Sequence, residues 1–105
     1  MRRQLPNGLW FSLGNVPSDA DATDIQDLLY RHGIQVGGDR IDVTSGMGHK
    51  TAALISLPQE EVRRLFGFIP NRFAVPKLEE MLAGATMMDG QGTERCLRFF
   101  TASRL

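Results

Sequence analysis

The chain has one cysteine, two histidines and no excess of either charge: 12 basic side chains balance 12 acidic ones over 105 residues. A lone Cys96 cannot close an internal disulfide, which points to a reducing compartment. No apolar run approaches the roughly 20 residues that cross a bilayer, so no transmembrane helix and no membrane partner are expected. The opening MRRQLPNG carries two arginines but no following apolar stretch of signal-peptide type. Together these lead to the expectation of an intracellular chain, in the nucleus or cytoplasm. Charge balance removes the basic excess that supplies most nonspecific nucleic-acid affinity, so any such affinity must come from a local patch. His32, His49 and Cys96 lie far apart, without the spacing of a metal site. Glu60-Glu61 and Glu79-Glu80 read as carboxylates at helix starts or on solvated faces. No catalytic arrangement follows from separation alone, so neither an enzyme nor a cofactor or metal is expected.

What remains is an ordinary globular composition, 42% hydrophobic and 23% charged, of a length that suits a single domain over 1–105. Leu9 to Val16 reads as a strand, with Leu9, Phe11 and Leu13 on one face and Trp10 and Ser12 on the other. Ser18 or Asp21 caps a helix beginning near Thr23. Ile25, Leu28, Leu29 and His32 follow at helical spacing, and Gly33 stands at a C-terminal stop. Ile41 to Thr44 and Ala52 to Leu57 alternate as strands. Gln59 to about Phe68 forms a second helix, with Val62, Leu65 and Phe66 buried. Pro76 opens a short third helix closed by Gly84, MMDGQG is a turn, and Arg95 to Thr101 is the last strand. No repeat or low-complexity segment is visible.

SGMGHKTAALISL, residues 45–57, has the letters of a phosphate-binding loop. Such a loop requires Gly, four residues, then Gly-Lys-Ser/Thr ahead of a helix. Here His49 separates Gly48 from Lys50, the first glycine is missing, and the segment after Thr51 is strand-like up to Pro58. The stretch is therefore expected to join two antiparallel strands, with Gly46 and Gly48 in the turn.

The order β-α-β-β-α-(short helix)-β is that of an α+β, ferredoxin-like sandwich: a four-stranded antiparallel sheet packed on two helices, its other face open. Four segments add a resemblance. FSLGNVP (11–17) is similar to a first-strand hexamer motif and DIQDLLYRHGI (24–34) to a first helix. KTAALISL (50–57) falls where an octamer motif sits, and RCLRFFTA (95–102) follows a closing-strand pattern. In this order they resemble a divergent RNA recognition motif (RRM) domain, with its core at about 9–102 and an extended connection at 68–93. The resemblance implies single-stranded RNA as partner, bound on the open sheet face.

In that family, bases stack on three sheet-face aromatics. The corresponding positions here hold Ser12, Ala52 and Leu54. Trp10 and Phe100 are candidate replacements, with Lys50, Arg98 and Arg40 supplying charge and Asn15 completing the implied contact set. Trp10 packing beneath the N-terminal segment or the 68–93 connection is the rival reading, as is ordinary strand packing for Phe100. The expectation is weak or atypical RNA recognition. The alternative is a protein-interaction module using the bare sheet or the 68–93 segment, where Phe68, Phe73, Met81, Met87 and Met88 supply adaptable apolar side chains. In the latter segment Leu78, Met81 and Leu82 have a simpler use, packing the extra helix onto the domain.

Overall fold

Buried and half-buried residues alternate strictly along Leu9–Gly14, the signature of a strand with one face on a core and the other toward solvent. The structure is a computed structural model, and it describes residues 8–45 and 51–101. Within them the elements run β1 (Leu9–Gly14), α1 (Ala22–Arg31), a 3₁₀ turn (Gly38–Arg40), β2 (Ile41–Ser45), β3 (Thr51–Leu57), α2 (Gln59–Phe66), α3 (Asn71–Met81), β4 (Thr86–Met88), β5 (Glu94–Cys96) and β6 (Arg98–Thr101). The main sheet has four antiparallel strands in the order β2-β3-β1-β6, and β4 and β5 form a separate hairpin. Among the described residues the fold is α+β with three α-helices.

α1 is delimited at both ends by its own sequence. Asp21 accepts the Asp24 amide at 3.0 Å while Asp24 accepts the Asp21 amide at 3.1 Å, a reciprocal capping box. At the other end Gly33 takes φ +86°. Its amide bonds Tyr30 O and the Ile34 amide bonds Leu29 O at 2.8 Å, closing a Schellman motif. Ile34 and Leu29, which that motif brings together, are both fully buried.

Leu9, Phe11 and Leu13 of β1 and Ala53, Ile55 and Leu57 of β3 share one core with Ile25, Leu28 and Leu29 of α1 and Val62 of α2. Phe99 of β6 stacks on Phe11, ring centroids 5.3 Å apart. Ala74 and Leu78 of α3, with Leu82 and Ala85 after it, are buried in the same cluster. The 68–93 connection therefore thickens the helical layer rather than crossing the sheet.

The expected arrangement departs from the observed one in several places. The simple six-element ferredoxin order with one short extra helix is not present, because a full helix and a hairpin intervene between α2 and β6. α3 begins at Asn71, not at Pro76. Pro70 is the N-cap residue, its carbonyl accepting the amides of Phe73 and Ala74, and Pro76 lies inside the helix. α2 ends at Phe66 because Gly67 adopts φ +82°. The last strand is split at Leu97, whose amide leaves the ladder to bond Ala85 O at 3.0 Å. Residues 94–96 then pair with β4 and 98–101 with β1.

Glu61 stands in the first turn of α2, a helix start as expected, but it is buried there rather than solvated. It accepts the Gln35 amide at 2.8 Å and the Arg64 guanidinium at both carboxylate oxygens, and Arg64 also donates to Gly33 O at 3.0 Å. Burial pushes the Glu61 carboxyl up. The hydrogen bonds from Arg64 and Gln35 and the Arg64 charge outweigh that and hold it below its ordinary value. This clamp ties α2 to the α1–β2 connection. In the hairpin, Asp89 accepts the amides of Thr93 and Gln91 and the side chain of Arg95, which hold its carboxyl low.

Candidate nucleic-acid interface

Pairing register brings side chains of the sheet's outer face into rows. Ser12 stands opposite Leu54 on one side and Phe100 on the other, and Leu54 stands opposite Asp42. This row, Asp42–Leu54–Ser12–Phe100, crosses all four strands and spans about 14 Å at ordinary strand spacing. Gly14 pairs with Arg98 and Thr44 with Ala52 in a second row. Trp10 pairs with Ser56 in a third. The rows place Ser12, Ala52, Leu54, Trp10, Arg98 and Phe100 together on the face away from the helices.

Phe100 is 50% exposed. A Cβ built on Gly14 would lie 2.8 Å from Phe100 Cε2, so the ring leans diagonally over the bare glycine backbone beside Arg98. Strand alternation puts Arg98 and Phe100 on the same side, and Arg98 is exposed. An aromatic ring with an accessible surface next to a guanidinium can stack a planar base and pair its phosphate. Trp10, Ser12, Ala52 and Leu54 are half-buried. The rest of the face combines Trp10, Leu54 and Ala52 with the hydroxyl side chains of Ser12 and Thr44, and Asp42 is exposed at the β2 edge, opposing any polyanion.

Two members of the sequence-derived set have structural work. Arg40 donates from Nε to Ser56 O at 2.7 Å and from Nη2 to Ser56 Oγ at 3.1 Å, securing the 3₁₀ turn to β3. This satisfies the hydroxyl of Ser56, which is buried although it lies on the outer face. Asn15 adopts φ +62°, a left-handed conformation that asparagine tolerates better than most residues. Its Nδ2 donates to Cys96 O at 2.9 Å and its Oδ1 accepts from Arg95 at 3.4 Å, joining the end of β1 to β5. Lys50, with Gly46, Gly48 and His49, lies outside the described residues. The chain after it forms β3, so no helix N-terminus follows the glycines to receive a phosphate.

The helical side offers a different environment. A hollow of about 410 Å³ beside α1 and the hairpin is lined by Asp19, Asp24, Asp27 and Glu94 with Arg31, a carboxylate-rich surface that repels phosphate. Another of about 480 Å³, at the α1–β2 connection, is lined by Gln26, Tyr30, Ile34, Gln35 and Val36 among others. Among the described residues no group of three or more His, Cys, Asp or Glu is placed to hold a metal ion. Among them, too, no helix is long and apolar enough to cross a membrane. The Gly14–Phe100 arrangement was missed in the sequence because the two are 86 positions apart; only the pairing register of β1 with β6 brings them together.

No protein-family model, no curated protein and no solved structure matches this chain.

Proposed function

We propose that this domain binds single-stranded RNA weakly across the outer face of its sheet, on a ferredoxin-like core of the RRM kind, without catalysis. The topology supports that core. With α3 and the β4–β5 hairpin set aside, the remaining elements run β-α-β-β-α-β with the strand order β2-β3-β1-β6. The reading is carried by one observation: the half-exposed ring of Phe100, lying over Gly14 beside exposed Arg98, on a face left open by the helical layer. One such ring in place of three makes the interaction weak, since each stacked base contributes about 1–3 kcal/mol.

Fluorescence anisotropy with a pool of short single-stranded RNAs at low salt tests the proposal. Phe100→Ala is expected to weaken binding by about 5- to 150-fold, the equivalent of one stacked base. Gly14→Val is expected to weaken it similarly by displacing the ring, while Arg98→Glu lowers affinity and flattens the salt dependence. Unchanged affinity in all three variants refutes the assignment. The alternative, protein recognition through the bare sheet, draws support from the apolar Ala52–Leu54 surface. A peptide there would bind without the salt dependence expected of RNA.

A further inference from the structure

A separate surface lies at the elbow between α2 and α3. From Val62 to Leu78 the chain carries four basic residues, Arg63, Arg64, Arg72 and Lys77, and no acidic one. Glu61 pairs with Arg64. Among the described residues no carboxylate lies within ion-pairing distance of Arg63, Arg72 or Lys77, all of them exposed. Two phenylalanines stand in the same stretch on the outside of the molecule, Phe68 at 90% exposure and Phe73 at 54%. Each ring carries a guanidinium: Arg63 lies 5.4 Å from the Phe68 centroid and Arg72 5.1 Å from that of Phe73. Cation–π contact holds each charge against an apolar surface. Backbone geometry keeps the two rings' Cα atoms within about 15 Å of each other, since a helical turn takes up part of the short separation.

We infer that this elbow is a docking site for an acidic protein segment that alternates carboxylates with large apolar side chains. The apolar side chains would seat against the exposed faces of Phe68 and Phe73, and the carboxylates would meet Arg63 and Arg72. Aromatic residues paired with arginine are the composition of binding hot spots, not of a surface designed only for water. Charge complementarity selects an acidic partner. It also selects a short one: Glu60 on one side and Glu79 and Glu80 on the other bound the basic stretch. A nucleic-acid strand needs a continuous positive track for its backbone. This inference does not depend on the RNA reading, because α2 and α3 belong to the helical layer and the proposed RNA surface is the opposite face of the sheet.

The test uses the whole 15N-labelled chain. A fluorescent peptide of about ten residues alternating Glu or Asp with Leu or Phe is titrated in, alongside a charge-reversed Lys/Arg counterpart and a single-stranded RNA of similar length. The acidic peptide is expected to shift the amides of residues 63–73. Its affinity should fall about tenfold in Phe68→Ala and in Arg63→Glu/Arg72→Glu, and fall again as salt rises from about 50 to about 300 mM. All three positions are exposed, and thermal midpoints near the parent value will confirm that the variants fold. Equal binding of the acidic and basic peptides, unchanged affinity in Phe68→Ala, or larger shifts of these amides with RNA than with the acidic peptide overturns the proposal.

Discussion

Asn15 shows how one residue can carry two constraints at once. It holds a left-handed backbone at the end of β1, and its amide group bridges to Cys96 and Arg95 on the hairpin. Asn15→Ala should lose the bridge and strain the backbone, destabilising the fold by about 1–3 kcal/mol. Asn15→Gly tolerates the conformation and should lose less. Urea denaturation of the three proteins is expected to rank them wild type, Gly, Ala. Glu61 makes the matching electrostatic case. Its folded carboxyl titrates below its ordinary value of 4.5, so its stabilising contribution is fully present above that value and is lost as pH falls through the lower folded one. Glu61→Gln should cost about 1–3 kcal/mol near neutral pH. The gap from wild type, followed by urea midpoints from neutral pH downward, should narrow as the solution becomes acidic through that window. The pattern of residues 59–68 could not reveal this clamp, because its partners Gln35 and Gly33 come from a connection whose position only the tertiary fold sets.

Elements whose signals are local were legible in the sequence, and those that depend on distant partners were not. α1 could be bounded from Ser18 or Asp21 at one end and Gly33 at the other because cap and stop lie within a few residues of the helix they govern, and the capping box selects Asp21. The inward and outward faces of β1, β2 and β3 followed from two-residue alternation. α3 misled because proline is favoured in a first helical turn, whereas Pro76 sits in the interior, where it cannot donate to the carbonyl of Arg72. Packing of Ala74 and Leu78 into the core offsets that loss. Pro76→Ala should restore the bond and raise stability by about 1–2 kcal/mol after the lost rigidity of the unfolded chain is counted. A higher thermal midpoint is the expected reading. The break between β5 and β6 was invisible because RCLRFFT is uniformly strand-like; the change of partner at Leu97 depends on the carbonyl of Ala85.

At the scale of the molecule, the 68–93 connection determines which surfaces remain available. By adding Ala74, Leu78, Leu82 and Ala85 to the core on the helical side, it leaves Phe100, Arg98 and Asp42 exposed on the sheet. That Trp10, Ser12, Ala52 and Leu54 share the outer face was legible from two-residue alternation. The separate functions of its members were not: Arg40 and Asn15 serve as structural ties, and the seat of Phe100 over Gly14 arises only from strand pairing. We propose that this face meets RNA through Phe100. The most direct test is a titration of the 15N-labelled wild-type chain with a mixed pool of short single-stranded RNAs at low salt, following backbone amides. The largest shifts are expected on residues 10–14 and 98–100, with lesser ones on 52–54. Shifts confined to the helices, or none on the sheet, would contradict it.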